Sequence, residues 1–85
     1  MEPDKEKILE AGFFYFQNQN FKKAIQIFEE GLTLFPDDTD IYYNLGIVYE
    51  SINDIEKAKE CFKKVLEIDR NNVDAKKHLE NLINI

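Results

Sequence analysis

A period of 34 residues constrains this chain more than any other feature. Gly46, Tyr49, Ala58, Phe62 and Leu66 each stand 34 positions after Gly12, Tyr15, Ala24, Phe28 and Leu32. One unit has been written twice. A fixed spacing of this size marks a stack of helical repeats, in which each unit buries its apolar face against the next. Six residues are identical between 5–38 and 39–72, and they include the positions where helices would meet.

The order of residues along the chain predicts five helices. Pro3 suits a first helical turn, where its missing N–H costs nothing. From about Lys5, apolar residues at Ile8, Leu9, Ala11, Phe13, Phe14, Tyr15 and Phe16 follow helical spacing with an unusually broad apolar surface. Gln17-Asn18-Gln19-Asn20 interrupts them, and Asn20 is a good N-cap. The second helix, about Phe21 to Leu34, turns Phe21, Ala24, Ile25, Phe28, Gly31 and Leu32 inward and stops at Phe35-Pro36. Asp38 caps a third helix, about Thr39 to Ser51, with Ile41, Tyr42, Leu45, Val48 and Tyr49 apolar. A turn at Asn53-Asp54 needs a left-handed residue, which asparagine tolerates. The fourth helix, roughly Ile55 to Ile68, points Ile55, Ala58, Phe62, Val65, Leu66 and Ile68 inward. Asn72 caps a fifth, about Val73 to Asn84, with Ala75, Leu79, Leu82 and Ile83 on one face. No strand is predicted, because alternation with period two never lasts.

Bulk properties exclude several classes. The single cysteine, Cys61, rules out an internal disulfide, and the sequence offers no set of metal ligands. Eleven basic against seventeen acidic residues give a net charge of −6. Phosphate backbones and anionic lipid attract positive charge, so neither nucleic acid nor membrane is an expected partner. No apolar run approaches the ~20 residues a bilayer needs. The polar N-terminus lacks a signal-peptide apolar region, which reads as a cytoplasmic protein.

The repeated residues resemble the tetratricopeptide repeat (TPR) family. Its pattern is an aromatic, then leucine-glycine, tyrosine, alanine, phenylalanine and proline. Tyr42, Leu45, Gly46, Tyr49, Ala58 and Phe62 match it in the second unit; Gly12, Tyr15, Ala24, Phe28 and Pro36 match in the first. Ile8 replaces the aromatic, Ala11 the leucine, and Arg70 stands where the second proline would be. The resemblance implies an all-α fold: a right-handed stack of two helical hairpins, repeat 1 about 5–38 and repeat 2 about 39–72, plus a capping helix about 73–85, in a single domain 1–85. Gly12 and Gly46 are expected opposite Ala24 and Ala58, with Phe28 and Phe62 filling the seam between units.

The family's first helices line a concave groove that holds partner peptides or helices. Carried over by position, the groove residues are Leu9, Phe13, Phe16 and Gln17 from the first unit. Tyr43, Ile47, Glu50 and Ser51 come from the second, and Lys77 and Asn81 from the cap. Exposed aromatics cost solvation unless covered, which singles out Phe13 and Phe16. One branch of the family clamps a C-terminal carboxylate with lysine, asparagine and arginine. Here Leu9 and Phe13 occupy the first-unit lysine and asparagine places and Asp74 and His78 the third-unit basic ones, so the clamp is rejected although Asn44 matches. Acidic Glu6, Asp40, Glu50 and Asp74 at the groove edge point to a partner of basic character.

Other chemistry is not expected. Cys61 reads as a half-buried filler and His78 as a surface histidine with no nucleophile at a recognisable spacing. Asp69, Asn71 and Glu80 match three places of a calcium loop, but Val73 and Asp74 break the template. Gly12 and Gly46 lie inside helices and form no phosphate loop. Phe14 sits where Val48 sits in the second unit, and is exposed in part, covered by residues 1–4, or covered by another chain. The sequence therefore predicts a protein–protein interaction module without catalysis, cofactor or metal. The alternatives are a self-associating unit, a homo-oligomer through the apolar groove, the open first helix or exchange of helices at the Gln17–Asn20 or Pro36–Thr39 turns, or a fragment of a longer scaffold.

Overall fold

Five short polar side chains start the five helices. The computed structural model describes residues 4–84, so the expectation placed on Pro3 lies outside the described residues. Asp4, Asn20, Asp38, Asp54 and Asn72 each accept a hydrogen bond from a backbone N–H of the first turn, at Glu6, Lys23, Ile41, Lys57 and Ala75. That bond satisfies a donor the helix cannot. The helices are α1 Lys5–Gln17, α2 Phe21–Leu34, α3 Thr39–Ser51, α4 Ile55–Ile68 and α5 Val73–Ile83, with no strand among the described residues.

The hairpins α1–α2 and α3–α4 close by the same turn. Gln19 and Asn53, 34 positions apart, have φ of 61° and 63°. The following N–H groups reach back to Tyr15 O and Tyr49 O at 2.8 and 2.9 Å. This six-to-one bond around a left-handed residue ends one helix, and the same donor residue, Asn20 or Asp54, caps the next. Asparagine tolerates the left-handed region, whereas glutamine occupies it against its preference.

Neighbouring helices in the chain pack side by side, and α3 bridges the two hairpins by lying on α2. The stack is elongated, 42 × 27 × 17 Å. Its core runs through the second hairpin: Ile41, Leu45, Val48 and Tyr49 of α3 with Ala58, Cys61, Phe62 and Val65 of α4. The first hairpin adds Ala24 and Phe28, and α5 adds Ala75 and Leu82.

At each seam a glycine makes room for an aromatic ring: a Cβ at Gly12 would clash with the Phe28 ring, and one at Gly46 would stand 2.9 Å from Phe62 and 3.2 Å from Cys61 Cβ. Three details differ from the sequence reading. Cys61 is buried, at 7% exposure, rather than half-buried, since it fills the space beside Gly46. Burial, helped by Glu60 and Glu29, pushes its thiol from 9.0 up to about 12, so it stays protonated and inert. Ile68, in the last turn of α4, is 43% exposed. Ile83 is exposed as well, at 58%. It takes the place that Tyr49 holds in α3, but α4 covers Tyr49 and no described helix covers Ile83.

Candidate functional site

The helices bring part of the expected groove together. Phe13 and Phe16 of α1 and Ile47 of α3 line a cleft of about 70 Å³, with Phe28 of α2 and Asn44 and Val48 of α3. Phe13 is 51% exposed and Phe16 half-buried. Phe16 is held by an edge-to-face contact with Phe21, centroids 5.7 Å apart. Phe28 forms the buried base, its ring packed against α1 at Gly12, where a Cβ would clash with it. Asn44 donates its side-chain amide to Asp40 O at 2.7 Å. Its carbonyl oxygen remains as an acceptor in an otherwise hydrocarbon wall.

A second cluster forms one repeat further on. The His78 ring stacks on Phe62, centroids 5.0 Å apart and planes 14° from parallel. Tyr43 meets both rings edge-on, at 5.8 Å to Phe62 and 5.7 Å to His78. His78 Nδ1 lies 2.9 Å from Glu50 Oε1. A carboxylate accepts only, so Nδ1 carries the proton and the ring is fixed in orientation. Burial, then the carboxylates of Asp74 and Glu50, push the Tyr43 phenol above its ordinary range. His78 is thus no surface histidine. It pins α5 to α3 and α4.

The remaining expected residues divide. Leu9 is half-buried against the core. Ser51 is exposed and donates its hydroxyl to Ile47 O at 2.9 Å, which ties it to its own helix. Gln17, Lys77 and Asn81 are exposed and line neither the cleft nor the aromatic cluster. Of the acidic edge, Asp40 holds Lys5 at 2.7 Å and Glu50 holds His78. Lys5 also reaches Asp38 at 3.0 Å. These two bonds, to Asp40 first, hold the Lys5 ammonium well above its usual range. Sequence reasoning missed Asn44, Phe28 and Val48 as cleft walls and His78 as a packing residue. The signal was present: His78 stands 34 positions after Asn44, so the two share one place in the repeat.

No three His, Cys, Asp or Glu side chains gather as metal ligands among the described residues. No described helix is long and apolar enough to cross a membrane.

Two stacked helical hairpins with glycine-seated phenylalanines define a helical-repeat protein. The tetratricopeptide repeat model matches residues 39–72 and a second TPR repeat model matches residues 14–52. Together they span 14–72, and the chain belongs to the tetratricopeptide repeat family. It is 33% identical over 64 residues to the uncharacterized protein ycf37 of Pyropia yezoensis, covering 75% of this chain and 36% of that protein. The fold is similar to PcrH in its complex with the chaperone binding region of PopD: TM-score 0.83 at 22% identity, over 91% of this chain and 58% of that one. It is also similar to the first TPR of Spaghetti (RPAP3) bound to the HSP90 peptide SRMEEVD, with TM-score 0.53 at 19% identity over 95% and 94% of the two chains. At these identities the structural likeness is one of fold. The chain spans about a third of the ycf37 relative's length.

Proposed function

We propose that this chain is a protein-interaction module that holds an extended peptide or a helix of a partner along its first helices, α1, α3 and α5. The observation that carries the reading is the cleft at Phe13, Phe16 and Ile47, an apolar recess beside a half-exposed phenylalanine. Apolar surface of this kind is where binding energy concentrates when a partner covers it. Two structural neighbours are themselves complexes, one with a region of PopD and one with an HSP90 peptide, which supports a peptide-like partner. The reading includes no catalysis by the chain itself.

The remaining groove positions, Leu9, Gln17, Tyr43, Glu50, Ser51, Lys77 and Asn81, belong to the proposal as flanking contacts. The acidic edge favours a partner with basic side chains, although Asp40 and Glu50 are already engaged by Lys5 and His78. Affinity is therefore expected to fall as salt rises, but modestly. The test is capture of a partner by the wild-type chain and by Phe13→Ala with Phe16→Ala. Binding is expected to disappear while the far-ultraviolet circular dichroism keeps its helical form. Retained binding in a folded double variant would sink the assignment.

One observation favours a second reading, self-association. Phe14 is 58% exposed, whereas Val48, at the same place in the next hairpin, is 1% exposed. Sedimentation equilibrium over a range of concentrations separates the two: a strict monomer removes the second reading, and a dimer broken by Phe14→Glu supports it.

A further inference from the structure

One exposed face of α5 carries a self-complementary order of residues. Val73, Lys76, Glu80 and Ile83 stand three, four and three positions apart. At about 100° per residue this keeps them within an arc of roughly 80°. All four are exposed, Val73 at 70% and Ile83 at 58%. Ala75 and Leu82, on the other side of the helix, are buried. The stripe holds the same places in the repeat as Thr39, Tyr42, Gly46 and Tyr49 of α3. On α3 an antiparallel helix covers that face: Phe62 and Cys61 of α4 lie at Gly46, and Lys57 lies over the Tyr49 ring.

We infer that this face of α5 docks a second copy of the chain, whose own α5 runs antiparallel to it in the place α4 takes on α3. The order of the stripe selects the arrangement. Val73 and Ile83 are equally distant from position 78, and so are Lys76 and Glu80. A two-fold axis through that position sets Val73 of each copy against Ile83 of the other, and Lys76 against Glu80, each pair made twice. A parallel pair in register would set Lys76 on Lys76 and Glu80 on Glu80. An antiparallel pair slipped by one turn brings like charges together or sets a charge against Val73 or Ile83. Among the described residues neither Lys76 nor Glu80 is held in an ion pair. Exposed ion pairs contribute little affinity, so these two fix the register while Val73 and Ile83 supply the apolar burial. One helix face buries less than the roughly 1,200 Å² of a standard interface, so half-association is expected only on the order of 0.1 mM. Groove positions Lys77 and Asn81 lie outside the stripe, and the inference does not depend on the peptide-binding reading.

The test is sedimentation equilibrium of the full chain up to about ten times that concentration, with two charge variants. Lys76→Glu sets two carboxylates against each other at both contacts, and Glu80→Lys sets two ammonium groups there. Each variant alone is expected to associate at least about fivefold more weakly than wild type. Mixed in equal amounts, the two variants are complementary at both contacts, and association between them is expected to return to the wild-type level. Recovery in the mixture cannot come from a misfolded chain, and both positions are exposed. Phe14→Glu, on α1, should leave this association unchanged. A chain that stays monomeric throughout overturns the inference and leaves the stripe to a helix of another protein. Association that ignores both charge variants, or that fails to return in the mixture, overturns it as well, and so does a dimer that Phe14→Glu dissolves. The groove reading fails on a different result, peptide capture that survives Phe13→Ala with Phe16→Ala, which these charge changes do not touch.

Discussion

The two hairpins of this protein are built to one template and yet are buried to very different depths. The second contributes eight buried apolar side chains to the core and the first contributes two, Ala24 and Phe28. Tyr49 is buried where Tyr15 is half-exposed, and Val48 where Phe14 faces solvent. The residues do not account for this, since the first hairpin is the richer in phenylalanine. The difference is position: α3–α4 has a neighbour on each side, α2 on one and α5 on the other. In a stack where each unit touches its neighbours alone, burial belongs to interfaces rather than to units. Among the described residues α1 is covered on one side alone, and Phe13 and Phe14 are exposed.

The sharpest way to break this comparison is to remove the ring each seam is built on. Phe62→Ala is expected to lower unfolding stability by about 3–5 kcal/mol, read by urea denaturation. Phe28→Ala should cost less, because Phe28 borders the cleft whereas Phe62 is enclosed by His78 and Tyr43. An equal or greater loss at Phe28 would mean that the seams, and not the middle hairpin, carry the stability. Next come the glycines beneath these rings. Gly12→Ala is expected to destabilise by about 1–3 kcal/mol through overpacking. Gly46→Ala should cost less, since its Cβ would meet Phe62 at 2.9 Å, a distance a small shift relieves.

The turns give a smaller effect of opposite sign. Gln19→Gly should raise stability by about 0.5–1 kcal/mol, as relief of the left-handed strain outweighs the entropy that glycine adds to the unfolded chain. Asn53→Gly should gain less, because asparagine already accepts φ of 63°. Thermal melts of the two variants decide it. Last, Phe14→Val makes α1 resemble α3 at a site without a neighbour, and the melting transition is expected to move by no more than about 0.5 kcal/mol in stability. A larger change would show that Phe14 is covered in solution.

Much of this was legible in the residues. The caps at Asn20, Asp38 and Asn72 and the stops at Pro36 and Asn53 set helix bounds that the structure reproduces, because capping and turn chemistry are local. Features that depend on two distant residues were not legible. Glu50 and His78 are 28 positions apart, and each alone reads as solvated surface. The fork of Lys5 onto Asp38 and Asp40 joins α1 to the start of α3, and no spacing rule announces it. Gly12 reads as room for a neighbouring helix, but its sequence neighbours do not reveal that the Phe28 ring packs into that room. Ile68 and Ile83 read as inward from periodicity, which tells which side of a helix is apolar but not whether anything lies there.

The polar face of α5 decides how this architecture can grow. Where α3 presents Tyr42 and Gly46 to the helix that folds back on it, α5 presents Lys76 and Glu80. A phenylalanine cannot nest over Glu80 as Phe62 nests over Gly46, so a helix folding back on α5 would pack there by other side chains. Duplication within the chain is different. A second copy of residues 39–72, spliced in after position 72, would bring its own cap, its own glycine and its own asparagine at the place of Asn44. Each such insertion would lengthen the stack by one hairpin, and His78 would still lie on the last phenylalanine.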